Sequence, residues 1–427
     1  MSRSKKKKIN KKKILIFIIV ILLLISIIVF TFYKINNKKY NEQKQNELKQ
    51  DIITHYNEYV ITNKETNIYT LNDSKYTKAG KVGKSQQLTL NKKEITYKDE
   101  YLKIDTFEQP YYIYYKDIDI IDELTPNNND RYKKYIAFNE NVITKEKTNF
   151  YDKENNLIYS FNQSFNLPII IKKNNQYAVE FNNQLLYIKS EDVIEIKENN
   201  NTDKTNTSGI AVLNYHFFYD ETKASERNDC NQTICHSKSG FIKHLDYIKN
   251  NDIFTPTMEE FEMYLNKEIN LPKSVLITID DGWRSELAKE LLEEYQINAT
   301  VFLITSWFDK INFLNDQKYI EYHSHGDNIH NQGECPGGQG GAIKCKEKTK
   351  LLEDLNLSRK KLEGSTAFCY PFYEYNDYSI NVLKEAGFTL AFAGGFKKAT
   401  PNTDKYQIPR YIMYDSTTVN QLKSYIG

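Results

Sequence analysis

The sequence has little glycine or proline and almost no net charge. Its 427 residues include 16 Gly and 9 Pro, and the formal net charge is +2. So small an excess of cations gives no reason to expect a nucleic-acid partner. The hydrophobic fraction of 40% and the aromatic fraction of 13% are enough for real cores, which excludes disorder of the whole chain. The length predicts two to four folded units.

Cysteine is also scarce, and none of the five Cys forms a C-x-x-C pair, so a zinc site built from cysteines is not favoured. Cys230 and Cys235 are separated by four residues and Cys335 and Cys345 by nine, while Cys369 has no such neighbour. Each pair can close a small loop as a disulfide in an oxidising compartment. Free thiols are the alternative that the sequence leaves open.

The N-terminus lacks the small-residue cleavage motif of a signal peptide. Residues 3–13 hold eight basic side chains, and the twenty residues 14–33 carry no charge. A helix of that length, at about 1.5 Å per residue, spans a hydrocarbon core of about 30 Å. We therefore predict a cytoplasmic basic tail (1–13), an uncleaved transmembrane helix (14–33) and a polar stalk (34–54). The positive-inside rule places everything after residue 33 outside the cell.

An internal repeat follows the stalk. "VITNKETNIY" at residues 60–69 returns as "VITKEKTNFY" at residues 142–151. Each copy leads into short runs of alternating apolar and polar residues, which predict two small all-β modules at 55–125 and 138–196. The strand order resembles bacterial SH3-like domains, and that resemblance implies contact with the cell wall. A spacer that holds a catalytic domain away from the membrane is the alternative.

The composition changes after a polar linker at residues 197–209. Apolar runs typical of strands, such as "SVLITIDDG" and "ATVFLIT", then alternate with helical patterns such as "SELAKELLEEYQ". This alternation predicts a parallel sheet wrapped by helices. Residues 210–427 are enough for an α/β fold of the (β/α) barrel type, slightly trimmed.

Two adjacent carboxylates end one of these apolar runs, in "VLITIDDGW" at residues 275–283. The carboxyl ends of parallel strands face the active site in such folds. Two neighbouring carboxylates repel each other and need a cation or a shared proton. Either aspartate alone could be an N-cap of the following helix, but the tandem pair after a hydrophobic strand favours a functional site.

The C-terminal region resembles the polysaccharide deacetylases, the carbohydrate esterase family 4 with a NodB-homology domain. "TIDDG" is similar to the first motif of the family, "EYHSHGDNIHN" stands in the place of the histidine motif, and "AFCYPFYEYN" is similar to the third motif. The resemblance extends from residue 210 to about residue 412 and implies a trimmed or distorted (β/α) barrel, together with hydrolysis of acetyl groups on a polysaccharide.

The resemblance also implies a divalent metal and its ligands. Zinc is the expected ion, with cobalt, nickel or manganese as alternatives, because a metal activates water and stabilises an oxyanion. The implied ligands are Asp281, His325 and His330, in the register of poly-N-acetylglucosamine deacetylases, where a Ser precedes the first histidine. His323 is then a supporting neighbour. A ligand role for Asp327 is the alternative register.

Catalytic roles follow from the same resemblance. Asp280 is the implied general base, and His216, after Tyr in the opening strand, is the implied general acid, a role that suits an imidazole. The late Leu-x-His motif of other subfamilies has no counterpart here, because His330 is the last histidine.

The third motif departs from the family pattern. The usual arginine is missing, and Cys369 stands in a neighbouring place. We expect Tyr370, Pro371 and Phe372 to shape the substrate groove by stacking on sugar faces. Arg410 is our candidate for the missing positive charge beside Asp280. The glycine-rich insertion "GECPGGQGGAIKC" after His330 is expected to be either a lid or a surface loop.

Together these features predict a single-pass enzyme, facing outward, that removes N-acetyl groups from peptidoglycan or a poly-N-acetylglucosamine-like surface polysaccharide. The closest enzymatic alternative is an O-acetyl esterase. The alternative from another class is a catalytically silent carbohydrate-binding or wall protein on the same fold.

Overall fold

The computed structural model describes residues 11–54, 59–91, 101–106, 109–124, 130–199, 208–230, 232–308 and 317–427. Most of the predicted basic tail (1–10) and of the predicted linker (200–207) lies outside the described residues. The chain divides into two compact units. The first contains the chain up to residue 127, with Leu157–Asn162 and Phe181–Gln184, and the second contains the rest.

The first helix, α1, runs from Lys11 to Thr54 and covers both the predicted transmembrane segment and the predicted stalk. Its segment Ile19–Lys44 is long and apolar enough to cross a membrane, although a signal sequence near the N-terminus would pass the same test. The large apolar side chains between Ile19 and Tyr33 are exposed. Exposed apolar surface of this extent is rare on a water-soluble protein.

The described residues from 59 to 199 form short strands, as the alternating pattern predicted. They are β1 (Tyr59–Thr62), β2 (Thr66–Asn72), β3 (Lys75–Val82), β4 (Gln87–Thr89), β5 (Tyr101–Ile104), β6 (Tyr111–Tyr114), β7 (Ile118–Ile121), β8 (Glu140–Thr144), β9 (Thr148–Tyr151), β10 (Leu157–Phe161), β11 (Asn166–Pro168), β12 (Ile171–Lys173), β13 (Gln176–Phe181), β14 (Gln184–Lys189) and β15 (Val193–Glu198). The all-β prediction is confirmed, and the SH3-like classification stays a prediction.

In the first unit, β1 pairs with β4 and β7, while β2 pairs with β3 and β6. β10 pairs with β3, although the repeat had assigned it to the second module. Gly80 permits this pairing, because a Cβ atom there would lie 2.4 Å from the backbone oxygen of Ser160. The predicted module boundaries therefore differ from the way the strands group.

In the second unit, residues 130–156, 163–180 and 185–199 share a hydrophobic core with the C-terminal domain. Tyr132, Ile170 and Tyr187 pack in one cluster with Met258 and Phe261. Hydrogen bonds join the same two regions: the backbone N–H of Lys172 donates to the Glu268 carbonyl at 2.8 Å, and Arg131 Nε donates to Glu260 Oε1 at 2.7 Å. These strands are thus built into the C-terminal domain.

The C-terminal domain alternates strands and helices, as predicted. Its elements are β16 (Ala211–Tyr215), β17 (Phe217–Tyr219), α2 (Ala224–Asp229), β18 (Cys235–Ser237), α3 (Lys238–Asn250), α4 (Met258–Leu265), β19 (Val275–Ile279), α5 (Glu286–Tyr295), β20 (Ala299–Leu303), β21 (Ile320–Ser324), α6 (Lys348–Lys361), β22 (Ala367–Cys369), α7 (Asp377–Glu385), β23 (Leu390–Phe392), β24 (Tyr411–Ile412) and α8 (Val419–Ile426).

Seven of these strands form one parallel sheet in the order β23-β22-β21-β20-β19-β16-β24. Its central strands β16, β19 and β20 are buried along their whole length, as expected for a parallel sheet covered on both faces. Phe392 at the end of β23 bridges to Ile408, just before β24, so the sheet curls back on itself. This curled sheet is consistent with the predicted distorted barrel.

Glu321 on β21 provides a test of how this domain responds to pH. Its carboxylate accepts a hydrogen bond from the Met258 N–H at 2.7 Å, and burial, reinforced by the nearby Glu260 carboxylate, raises its pKa from 4.5 to about 7. Since the folded state binds this proton more tightly than the unfolded state, the charge on Glu321 costs stability as the pH rises from 4.5 through 7.

We therefore expect Glu321→Gln to raise the free energy of unfolding above pH 7, by at most about 3 kcal/mol, and to have little effect near pH 4.5. Thermal unfolding of both proteins at the two pH values measures this. Glu353→Gln, at an exposed position on α6, is the matched control. An equal gain in the free energy of unfolding at both pH values would contradict the raised pKa of Glu321.

Candidate active site and metal group

The two adjacent aspartates lie in a tight turn directly after β19. Asp281 adopts a left-handed backbone conformation with φ +67°, and Gly282 follows with φ +82°. Aspartate tolerates this region better than most residues. Gly282 is needed for space as well, because a Cβ atom there would lie 2.3 Å from Leu303 Cδ2. The turn directs the two carboxylates to different partners.

Asp281 faces two histidines from the neighbouring β21 region. Its Oδ1 atom lies 3.3 Å from His325 Nε2 and 3.5 Å from His330 Nε2. The ligand atoms of the three side chains all lie within 4.8 Å of one another. The structure thus brings together the three residues that the sequence proposed as metal ligands, and we call them the Asp–His–His group.

The His325 ring is oriented by a backbone oxygen. Its Nδ1 atom lies 2.8 Å from the Cys369 carbonyl oxygen, so Nδ1 donates its hydrogen to that oxygen and Nε2 faces Asp281. This is the usual arrangement behind a metal-bound histidine. His330 is less buried, and its ring lies 4.5 Å from the ring of Phe372.

The Asp–His–His group suits a divalent cation on the chemistry of its donors. Asp281 Oδ1 is buried and accepts no hydrogen bond from any described residue. A buried carboxylate oxygen without a donor is costly, and a cation held by one carboxylate and two imidazoles would satisfy it. The group also leaves room for further ligands, as catalytic zinc sites do.

A second cluster, formed by Asp280, His325 and Cys369, also has ligand atoms close together. It suits a cation poorly, because Arg410 occupies it: Arg410 Nη2 lies 3.0 Å from Cys369 Sγ. A guanidinium in direct contact with two of the three side chains repels a metal ion. Of these two clusters of described residues, the Asp–His–His group is therefore the one that suits a cation.

Asp280 is held by a buried, bidentate ion pair. Arg410 Nη1 donates to Oδ1 at 2.7 Å and Nη2 to Oδ2 at 2.9 Å, and Arg410 is fully buried. Burial alone would raise the pKa of Asp280, but the charge of Arg410 outweighs burial and holds that pKa below its usual value. Asp280 is therefore ionised at neutral pH, and Arg410 lies where the sequence placed the missing positive charge.

His216 lies on the other side of Asp280, directly after β16. Its Nε2 atom is 3.9 Å from Asp280 Oδ2, and its Nδ1 atom is buried without a hydrogen-bond partner in the described part of the chain. Burial lowers the pKa of His216, against the opposing effect of Asp280. Once protonated, such a ring gives up its proton more readily than an exposed histidine.

His323 points away from the group. Its Nδ1 atom lies 3.0 Å from Ser365 Oγ, and burial lowers its pKa to about 4. Asp327, the alternative ligand, is also engaged elsewhere: it accepts a hydrogen bond from Thr305 Oγ1 at 2.6 Å and pairs with Lys361. Neither residue faces Asp281, so the geometry does not support the alternative register.

The expected groove residues need a correction. Tyr370 is fully buried, and its hydroxyl donates to the Tyr406 carbonyl at 3.0 Å. Pro371 is buried as well. A side chain enclosed by protein cannot stack on a sugar, so of the three expected residues only Phe372, which is partly exposed, keeps that role open.

The glycine-rich insertion is anchored at two points. The Cys335–Cys345 disulfide is formed, as is Cys230–Cys235, so both predicted pairings are confirmed. The Glu374 carboxylate also accepts a hydrogen bond from the Gly341 N–H at 2.8 Å and pairs with Lys344 at 2.9 Å. The loop is therefore fastened to the third motif, and closure as a lid stays a prediction.

Two tryptophans at the rim of the site were overlooked in the sequence. Trp283 directly follows Gly282, and Trp307 lies in the short turn after β20, with ring centroids of Trp307 and His330 5.9 Å apart. They are the only Trp in the sequence, and each lies within four residues of the end of a strand of the sheet. That position was the available signal.

An ionised carboxylate beside an Asp–His–His group, at the carboxyl edge of a curled parallel sheet, defines a hydrolase by class. The polysaccharide deacetylase family model matches residues 267–391. The chain is 30% identical over 212 residues to the poly-beta-1,6-N-acetyl-D-glucosamine N-deacetylase of Staphylococcus aureus strain MSSA476. The matched region is 45% of this chain and 72% of that protein.

The protein of the same name from Staphylococcus epidermidis strain ATCC 35984 is 26% identical over 270 residues. The matched region is 55% of this chain and 89% of that protein. Among solved structures, IcaB from Ammonifex degensii covers 51% of this chain and 97% of its own, at 20% identity and a TM-score of 0.43. The chain belongs to the polysaccharide deacetylase family. It is a polysaccharide N-deacetylase, a hydrolase that acts on carbon–nitrogen bonds.

Proposed function

We propose that this deacetylase is anchored in the membrane, depends on a divalent metal, and removes acetyl groups from N-acetylglucosamine units of a polysaccharide at the cell surface. The observation that carries the proposal is the buried Asp281 oxygen, which lies between two imidazole nitrogens and accepts no hydrogen bond from any described residue. A divalent cation would bind all three side chains at once.

The substrate is inferred from the relatives. The staphylococcal proteins are named for poly-β-1,6-N-acetyl-D-glucosamine, and the present chain covers more than two thirds of their length. We therefore propose a β-1,6-linked N-acetylglucosamine polymer as the first substrate to test, and peptidoglycan as the second.

Asp281, His325 and His330 would hold the metal, for which we propose zinc. When bound, the ion lowers the pKa of a water molecule and offsets negative charge on the acetyl oxygen. The protein contributes the fixed orientation of its ligands, because the Cys369 carbonyl holds the His325 ring and Phe372 packs on the His330 ring.

Asp280 and His216 would move the protons. Hydrolysis forms a bond from the water oxygen to the acetyl carbon and breaks the carbon–nitrogen bond, which releases acetate and an amine. Asp280, kept ionised by Arg410, takes a proton from the attacking water. His216 donates a proton to the leaving nitrogen. Each transfer typically contributes about 10² to 10⁴ in rate.

The N-terminal half would hold the enzyme near its substrate. α1 supplies the anchor, and the basic tail keeps the N-terminus in the cytoplasm by the positive-inside rule. The catalytic domain then faces outward, where the two disulfides are stable. We propose that the β strands between residues 59 and 199 either bind the cell wall or act as a spacer.

The proposal is tested with the full chain purified in detergent and supplied with zinc. We expect it to release acetate from β-1,6-linked N-acetylglucosamine oligosaccharides, and we expect a chelator to abolish this release while zinc or cobalt restores it. Acetate release and the new free amines are measured together, because N-deacetylation yields both in equal amounts.

Acetate without amine from an O-acetylated glycan would instead support an esterase. A folded protein that binds metal but releases no acetate from β-1,6-glycans, chitooligosaccharides or peptidoglycan would support a silent binding protein. Activity that survives complete removal of metal would contradict metal dependence.

A further inference from the structure

The two tryptophans are unusual in being large, apolar and exposed beside a polar catalytic group. Trp283 is 45% exposed and Trp307 is 51% exposed. Exposed aromatic surface next to a binding site usually has an occupant, because burying such a ring is strongly favourable. Tyr370 and Pro371 are enclosed, so the third motif offers little stacking surface of its own.

Trp283 is held rigidly on the His216 side of the Asp–His–His group. Its ring lies 5.0 Å from the ring of Phe217, at a steep angle, and the Arg284 guanidinium lies 4.8 Å from its centroid. Arg284 is itself fixed by an ion pair with Asp229 at 3.1 Å. Because the ring is already held in place, a ligand that packs on it loses little conformational entropy.

Trp307 lies next to His330. The turn that carries it is tied to the histidine segment, since the Thr305 N–H donates to the Gly326 carbonyl at 3.0 Å and Thr305 Oγ1 donates to Asp327. The position of Trp307 is therefore linked to that of the proposed metal ligands.

We propose that Trp283 and Trp307 are stacking platforms for the sugars that flank the reacting unit of the glycan chain. The inference rests on the proposed function, because it takes the acetyl group at the Asp–His–His group as its reference point. Hexosamine rings have apolar C–H faces that pack on aromatic rings while their hydroxyls stay in water. A polymer long enough to pack on both tryptophans would be held better than a short one, so the enzyme would prefer long chains to short ones.

The two tryptophans also supply the test, because they are the only source of tryptophan fluorescence in the chain. We expect a β-1,6-linked N-acetylglucosamine hexamer to change this fluorescence in the full chain. Trp283→Ala and Trp307→Ala should each raise the KM for the hexamer about tenfold, with kcat within about twofold of wild type. The preference for the hexamer over the dimer should fall, and each Trp→Phe variant should largely restore it.

Leu357→Ala, at a position on α6 that is 43% exposed, is the control and should match the wild type. The inference is overturned if the alanine variants lose activity equally on dimer and hexamer, or if they keep the wild-type KM for the hexamer. A fluorescence response without acetate release would contradict the proposed deacetylase activity but would still support glycan binding at Trp283 and Trp307. Acetate release without a fluorescence response would overturn the platforms alone.

Discussion

His325→Ala is expected to lose the bound divalent metal and to lower kcat/KM by at least about a thousandfold. The substitution removes one of two imidazoles beside Asp281 and leaves a buried carboxylate with a single partner. Metal content by elemental analysis and acetate release from a glycan oligomer measure the two effects separately. Circular dichroism shows whether the variant is folded.

His323→Ala is the matched control, two residues earlier in the chain, on β21. His323 contacts Ser365 and not Asp281, so its loss should lower stability somewhat and leave metal content unchanged. If both variants lose the metal to the same extent, the assignment of His325 and His330 as the ligands is wrong, and His323 has to be included in the site.

Asp280→Asn should lower kcat by about a hundredfold to ten-thousandfold while the metal stays bound. The amide keeps the shape of the side chain but cannot accept a proton from water. It also leaves the buried Arg410 without its counter-charge, and we expect a loss of stability of about 3 to 5 kcal/mol. Kinetics at saturating substrate, metal analysis and thermal unfolding measure the three effects.

Asp327→Asn separates chemistry from stability. Asp327 is also a buried carboxylate paired with a cation, Lys361, but it lies outside the Asp–His–His group. This variant should be less stable and retain nearly all of its kcat. Loss of metal from Asp280→Asn would instead favour the cluster of Asp280, His325 and Cys369 as the metal site, and an unchanged kcat would place the general base elsewhere.

The sequence predicted the parts of the site that depend on strand order. Asp280 and Asp281 follow the apolar strand β19, and His325 directly follows β21; parallel strands bring their carboxyl ends to one edge. Arg410 was predicted to lie beside Asp280 because the third motif lacks its usual arginine. The alternation of strands and helices and the chemistry of the side chains indicated where the site lies, while the roles of Asp280, His216 and the three ligands came from the family resemblance.

Other features depend on three-dimensional packing that local patterns do not contain. The left-handed backbone turn at Asp281, which directs the two carboxylates to different partners, is one such feature. Tyr370 was expected in the groove, yet it lies inside the domain. Whether an aromatic residue after a strand faces solvent or core is decided by neighbouring elements, which the local sequence does not specify.

The core that the second unit's residues before 200 share with the C-terminal domain limits how this enzyme can be divided. A gene fragment that starts at the linker before residue 210 would encode every proposed catalytic side chain. It would also leave Met258 and Phe261 without the apolar partners Tyr132 and Ile170 that cover them. The part that can be transferred intact to another protein, by recombination or by engineering, is therefore larger than the part that carries the chemistry.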